Sequence, residues 1–265
     1  MKKSILKSIG CAAGFAAAQI LLVMLFVMIA SLKMPDVMAA LLKDKDLFRT
    51  FLSVLSSLSI FIMDIVLLSL FFLKRNKNGE PVFKPVQKNM LYKAFYCSIG
   101  AWLLSLIWSA IYTFIFGQTT QDQISVCSSD SRLTALLIFT VCVLSPIAEE
   151  LVFRYAIIKS FKANKKAAII TSGLLFGIIH MNIFQSIPAV FIGILFAYFF
   201  VKTDNIFLPI AMHMMFNILG SIVQMFPGSF LTIVFTTSTL MIAICFVDFC
   251  ANKKILSANN KMISK

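Results

Sequence analysis

Charged side chains are scarce in this chain of 265 residues. Only 13% of the residues are charged, against ~25% in an average soluble domain, while 60% are hydrophobic. A soluble protein cannot cover so much apolar surface with so few charges, and a disordered chain has the opposite composition. The composition therefore excludes both classes and predicts an integral membrane protein.

Acidic residues and paired cysteines are also lacking. The 11 acids face 24 lysines and arginines, which gives a net charge of +13. We do not read this excess as nucleic-acid binding, because basic residues in membrane proteins usually mark cytosolic loops. Only Cys127 lies in a polar loop, so no disulfide framework is expected. The other five cysteines are predicted to act as small buried hydrophobic residues: Cys11, Cys97, Cys142, Cys245 and Cys250.

Long apolar runs, in contrast, are abundant, and a spanning helix needs ~20 such residues. We predict one integral-membrane domain over residues 1–265, an all-α polytopic bundle of about eight transmembrane helices. The first run is too long for a signal peptide and is expected to be an uncleaved helix. The fifth and sixth runs are short, with turn-forming residues between them. The predicted spans are 11–32, 48–73, 94–117, 133–153, 167–184, 186–201, 206–225 and 229–250.

The distribution of basic residues predicts the orientation. With the N-terminus in the cytosol, 19 of the 24 lysines and arginines fall in cytosolic segments and 5 outside. This ratio favours both termini inside. The expected location is the cell membrane, as a multi-pass protein, and the composition suggests a bacterial plasma membrane.

Ionisable residues within the apolar runs are few, and each is costly unless it is paired or functional. Both histidines of the chain fall within predicted spans, and two glutamates are adjacent at the cytosolic end of span four. Asp64, near the middle of span two, has no predicted partner. The ionisable residues within or next to the spans are Asp64, Glu149, Glu150, Arg154, His180, His213 and Asp248.

The spacing of the two glutamates predicts different roles for them. Glu150 lies four residues before Arg154, the favourable order for a helical ion pair. Glu149 points about 100° away around the helix. It can therefore stay free for chemistry while Glu150 is neutralised. Seen alone, the ion pair could equally seat a helix end at the membrane interface.

Two more pairs of residues repeat the four-residue spacing. Phe176 and His180 share a face of span five, and His213 and Asn217 share a face of span seven. Buried polar groups in lipid tend to face one another, which predicts a shared interior site. The simpler alternatives are that either histidine bonds a neighbouring helix and that Phe176 only packs.

In order along the chain, these residues form three motifs. They are EExxxR (Glu149 to Arg154), FxxxH (Phe176 to His180) and HxxxN (His213 to Asn217). This set resembles the CPBP family of CAAX proteases and bacteriocin-processing enzymes, also called Abi, which includes the type II CAAX prenyl endopeptidases. The resemblance covers residues 149–217, inside a predicted catalytic core at 133–225.

The resemblance implies an intramembrane glutamic endopeptidase without a cofactor. Glu149 with His180 would activate a water, and Glu150 with Arg154 would orient the site. His213 and Asn217 would stabilise the oxyanion, a contribution that typically reaches ~3–4 kcal/mol per donor. For His180 to reach the other motifs, span five must begin as a helix beyond the bilayer or be strongly tilted.

Other readings remain open. A zinc protease could use Glu149, His180 and His213 as ligands, although the chain has no HExxH motif. A non-catalytic immunity or scaffold protein would bind a bacteriocin or a sensor kinase. A transporter is less well supported, since no inverted repeat is visible. The expected partners of the enzyme are the lipid bilayer and a peptide or membrane-protein substrate: a peptide pheromone, a bacteriocin precursor or a CAAX-like protein.

Overall fold

The computed structural model describes residues 2–79, 81, 84–117, 131–161 and 163–225, which contain helices and no strand. The chain divides into two units, Met1–Ser221 and Ile222–Lys265. Every candidate site residue lies in the first unit. The α-helices are α1 (Lys2–Lys33), α2 (Pro35–Leu41), α3 (Lys45–Lys77), α4 (Lys88–Phe116), α5 (Ser131–Phe139), α6 (Ser145–Glu150), α7 (Lys165–Ile178), α8 (Ile183–Thr203) and α9 (Phe207–Met225).

Five helical segments of the described residues are long and apolar enough to cross a membrane: α1, α3, α4, the continuous helix Ser131–Ile158, and α8. Many of their apolar side chains are exposed, as expected of surfaces that face lipid. The protein is therefore a multi-pass membrane protein with an all-helical fold. The predicted eighth span, 229–250, lies outside the described residues, and the orientation stays a prediction.

The continuous helix Ser131–Ile158 forms the centre of the first unit. It changes from α to π geometry at Thr140–Leu144 and again at Leu151–Ile158, on either side of α6. A π turn contains an extra residue and often occurs at functional sites. Phe153 and Ile157 are completely buried there, within a core that also includes Phe15 of α1 and Phe71 of α3.

Glycines set the close approach of α7 and α8. A Cβ atom added at Gly173 would lie 2.8 Å from the backbone nitrogen of Ile194, and one at Gly177 would lie 2.7 Å from the carbonyl oxygen of Ser186. Small residues at such positions let membrane helices approach closely. The contact positions the C-terminal end of α7, where His180 follows.

The end of α7 differs from the sequence prediction. The helix begins at Lys165, with Asn164 as its N-cap, and ends at Ile178. Its 14 residues extend about 21 Å, less than the ~30 Å of a hydrocarbon core. The predicted helical span 167–184 is therefore wrong in length, because a turn at 179–182 ends α7 and Asn182 caps α8.

A charge cluster fixes the turn between α8 and α9. Asp204 forms ion pairs with Lys84 and Lys159, and Asn205 donates to the backbone carbonyl of Lys84. Partial burial opposes ionisation of Asp204. The hydrogen bond from Lys84 and the positive charges of Lys159, Lys84 and Arg75 outweigh this effect and hold the pKa of Asp204 below its ordinary value.

Candidate active site

Glu150 and Arg154 form a fully buried ion pair. Arg154 Nε lies 2.8 Å from Glu150 Oε2, and Arg154 Nη2 donates to Glu150 Oε1 at 3.1 Å. Neither side chain is exposed to solvent. The structure therefore contains the ion pair that the four-residue spacing predicted. Each charge compensates the other in surroundings where an isolated charge would be costly.

Ser172 of α7 extends this pair and was missed by the sequence analysis. Arg154 Nη1 donates to Ser172 Oγ at 3.1 Å, and Ser172 Oγ donates to the carbonyl oxygen of Phe153 at 2.8 Å. The serine is completely buried. It therefore links α7 to the helix that holds the two glutamates. A single serine in an apolar run gives no signal of this role.

Phe176 lies at the junction of the three motifs. Its ring centre is 4.8 Å from the guanidinium carbon of Arg154, a cation–π contact. Edge-to-face contacts join it to His180 at 5.2 Å and to His213 at 5.6 Å between ring centroids. Phe196 of α8, also missed by the sequence analysis, lies 5.5 Å from His213 and 5.9 Å from Arg154.

His213 lies between the two glutamates. Its Nδ1 is 3.0 Å from Glu150 Oε1, and its Nε2 is 4.0 Å from Glu149 Oε2. Since a carboxylate oxygen can only accept, Nδ1 is the donor to Glu150. This bond fixes the ring and directs Nε2 towards Glu149. The Glu149 side chain is 21% exposed, whereas that of Glu150 is fully buried.

His180 lies in the turn after α7 and not on the helix itself. Its Nδ1 donates to the carbonyl oxygen of Phe176 at 2.8 Å. In a neutral ring this leaves Nε2 as an acceptor. The adjacent Met181 has a positive φ of 51° and is 92% exposed. The contact of Phe176 with both histidines places His180 one aromatic ring away from His213.

Asn217 of α9 binds the first π segment. Its Nδ2 donates to the carbonyl oxygen of Val141 at 2.7 Å. One helical turn further along α9, Ser221 Oγ lies 3.4 Å from Cys142 Sγ. One of the two Nδ2 hydrogens is thus used within the protein, and the second is left for another acceptor.

A zinc protease would use Glu149, His180 and His213 as its metal ligands. Among the residues that the structure describes, no group of three or more His, Cys, Asp or Glu side chains is arranged to hold a metal ion. Glu149 and His213 are close enough to share a ligand, but His180 is separated from His213 by the ring of Phe176.

Comparison with known proteins agrees with the motifs. Residues 131–219 match the family model described as type II CAAX prenyl endopeptidase Rce1-like. The chain is 26% identical over 164 residues to YdiL of Bacillus subtilis (strain 168), a membrane peptidase by name, covering 55% of this chain and 66% of the relative. No solved structure matches.

A second relative is the membrane-embedded CAAX protease MroQ of Staphylococcus aureus (strain USA300). It is 30% identical over 125 residues, which is 43% of this chain and 50% of the relative. The chain thus spans between half and two thirds of the length of these relatives. The family match contains all three motifs, from Glu149 to Asn217. Residues 131–219 of this membrane protein are thus similar to the type II CAAX prenyl endopeptidase Rce1-like family.

Proposed function

We propose that this protein is an intramembrane endopeptidase of the glutamic type, which hydrolyses a peptide bond near the cytosolic face. The observation that carries the proposal is that two adjacent glutamates next to one histidine differ in burial and in their ionic partners. Glu150 is buried against Arg154, while Glu149 is partly exposed and faces Nε2 of His213. Pairs of carboxyl groups with different surroundings are a common basis for assigning a catalytic base.

The 4.0 Å between Glu149 Oε2 and His213 Nε2 is too long for a hydrogen bond but suits a bridging water. In the proposed reaction Glu149 accepts a proton from this water, and the water oxygen attacks the carbonyl carbon of the substrate. The C–N bond then breaks. The proton held by Glu149 passes to the leaving nitrogen, which restores the carboxylate.

The surrounding groups stabilise the charges that develop in this proposed reaction. A protonated Nε2 of His213, oriented through Nδ1 by Glu150, donates to the developing oxyanion, and the second Nδ2 hydrogen of Asn217 is a further donor. His180 supports water activation through Nε2, since its Nδ1 is bonded to the backbone of Phe176. No metal or other cofactor takes part in the proposed reaction.

The membrane setting and the names of the relatives support a substrate class. We propose a peptide or a membrane-associated protein, such as a peptide pheromone, a bacteriocin precursor or a CAAX-like protein. The name of the Staphylococcus aureus relative describes a CAAX protease, which supports the CAAX-like member of this group.

The test compares peptide termini in cells that carry the wild type, Glu149→Gln or Asp36→Asn at matched expression. Asp36 is an exposed acid in the first turn of α2, so it controls for the acid-to-amide change. Mass spectrometry of membrane and secreted peptides should reveal termini that are present in the wild type and in Asp36→Asn and absent in Glu149→Gln. Identical termini in all three strains would contradict the proposal and favour a non-catalytic immunity or scaffold role.

A metal chelator applied to purified protein distinguishes the glutamic from the zinc mechanism. The proposal predicts unchanged cleavage of the peptide mapped in the first experiment. Loss of cleavage that added zinc restores would assign the reaction to a metal held by Glu149 and a histidine.

A further inference from the structure

Pro188 lies inside α8 and removes one of the backbone hydrogen bonds of that helix. It lies beyond the first turn, where a proline is tolerated, because α8 begins at Ile183. A backbone N–H at position 188 would donate to the carbonyl oxygen four residues earlier, which belongs to Phe184. Proline has no N–H, so the Phe184 carbonyl lacks its usual helical donor. Lipid offers no replacement, and a neighbouring group must therefore pair this carbonyl in a membrane helix.

Trp108 of α4 supplies the missing donor. Its indole Nε1 donates to the carbonyl oxygen of Phe184 at 2.9 Å, although the two residues are 76 positions apart in the chain. Tyr112, one helical turn further along α4, contacts the ring of the same phenylalanine edge-on, with 5.1 Å between the ring centroids. Helix α4 thus holds both the backbone carbonyl and the side chain of Phe184.

Phe184 connects this contact to the turn that contains His180. The backbone N–H of Phe184 donates to Asn182 Oδ1 at 3.0 Å, and the carbonyl oxygen of Asn182 accepts from the backbone N–H of Ser186 at 2.7 Å. Asn182 follows His180 by two residues, and Met181 between them is 92% exposed. The first turn of α8 is therefore an anchor for the backbone that carries the histidine.

The ring of His180 is held from the other side, by α7. Its Nδ1 donates to the carbonyl oxygen of Phe176 at 2.8 Å, and its ring contacts the ring of Phe176. In the proposed reaction Nε2 must lie close to the attacking water, and a misplacement of 1 Å can lower a rate about a hundredfold. A Phe184 carbonyl without its indole donor would have to move towards another donor, and the turn before it would move as well.

We propose that Trp108 is a positioning residue for His180: it pairs the carbonyl that Pro188 deprives of its helical donor, and so holds the start of α8 and the turn before it. This rests on the proposed role of His180 in water activation. Trp108 acts through Phe184 and the turn. It lies on α4, outside the family match at residues 131–219.

The kinetic test is a double-mutant cycle between positions 108 and 188. Trp108→Phe keeps an aromatic ring and removes the donor, whereas Pro188→Ala introduces an N–H that can pair the Phe184 carbonyl within α8. With the peptide mapped above as substrate, Trp108→Phe should lower kcat about tenfold with little change in KM. Pro188→Ala alone and the double variant should both stay within about threefold of the wild-type kcat.

Rescue by alanine at position 188 is a result that a general packing role of Trp108 would not give. A double variant as impaired as Trp108→Phe would overturn the proposal, as would a wild-type kcat in Trp108→Phe. A comparable loss in Pro188→Ala alone would also overturn it, because the proline itself would then be required. The matched control is Trp102→Phe, which removes the other tryptophan of the chain from a buried position on α4. It should leave kcat near the wild type, and an equal loss there would assign the effect to packing of α4.

Nuclear magnetic resonance tests the anchor without any substrate. The chain has two histidines, so the full chain in detergent with 15N-labelled histidine should give ring signals of two residues, which His180→Ala assigns. Trp108→Phe should shift the signals of His180 and leave those of His213 in place, and the double variant should restore them. Unchanged His180 signals in Trp108→Phe, or equal shifts of both histidines, would overturn the proposal. If the signals respond as expected but cleavage does not depend on Glu149, it is the proposed function that fails.

Discussion

His213 and Glu150, 63 residues apart in the chain, meet with Nδ1 3.0 Å from Oε1, and both side chains are buried. Glu150 is therefore engaged twice, by a histidine on α9 and by Arg154 on its own helix. Because Glu150 is bonded to both residues, the orientation of His213 depends on Arg154. No direct hydrogen bond joins Arg154 to His213 in the described part of the chain.

Replacing Arg154 by methionine should harm both folding and activity. The change leaves the Glu150 carboxylate buried without its counter-charge, which typically costs about 3–5 kcal/mol. Thermal unfolding in detergent and the yield of folded protein measure the effect. The double variant Glu150→Gln with Arg154→Met removes both charges and should recover part of the stability. A double variant no more stable than Arg154→Met would show that the ion pair is not the cause.

Alanine at Gly177 should destabilise the protein by separating α7 from α8. The added Cβ would meet the backbone oxygen of Ser186 at 2.7 Å, and backbone cannot rotate away. Overpacking of this kind costs about 1–3 kcal/mol. The control is Gly100→Ala on α4, where no atom lies within 4 Å of the new Cβ. Equal unfolding temperatures of the two variants would contradict the close approach.

Leucine at Phe176 should lower kcat more than its effect on stability explains. It removes the cation–π contact with Arg154 and the edge contacts with both histidines. We expect a loss of about tenfold in kcat, as for a small misplacement of catalytic groups. Phe199→Leu removes the same volume from a buried ring on α8 and should leave kcat near the wild type. Similar kinetic losses in the two variants would assign Phe176 to packing alone.

The Asp204 cluster predicts an acid-sensitive contribution to stability. Because the folded pKa of Asp204 lies below its ordinary value of 3.8, its contribution is fully present above that value and is lost as the pH falls through the lowered folded value. The Tm of the wild type should exceed that of Asp204→Asn at neutral pH, and the gap should close in strong acid. A gap that persists there would show that the carboxylate charge is not responsible. The side chain is 39% exposed, so the gap should be small and should shrink in salt.

The membrane class, the all-helical fold and the similarity to a known family were predictable from the sequence, because composition and motif spacing are local properties of the chain. The spacing of Glu150 and Arg154 predicted an ion pair that the structure contains. The reaction roles of Glu149, His180, His213 and Asn217 stay predictions, and Glu149→Gln tests the first of them.

Other features could not be predicted because they depend on tertiary packing. Ser172 and Phe196 lie in apolar runs, and only the fold brings them to Arg154. The π segments have no recognisable sequence pattern. In contrast, Pro35 at the start of α2 and Asn164 at the start of α7 are standard helix-start signals that could have improved the predicted boundaries.

The shortness of α7 has a consequence for the backbone that follows it. Helix α7 extends about 21 Å, less than the thickness of a hydrocarbon core, and the chain leaves helical geometry at 179–182, beside His180. Lipid offers no hydrogen bonds to backbone groups, so a turn of this kind is tolerated in a membrane only where protein or water pairs them. The early helix end therefore makes the surroundings of His180 a part of this membrane protein that protein or water must line.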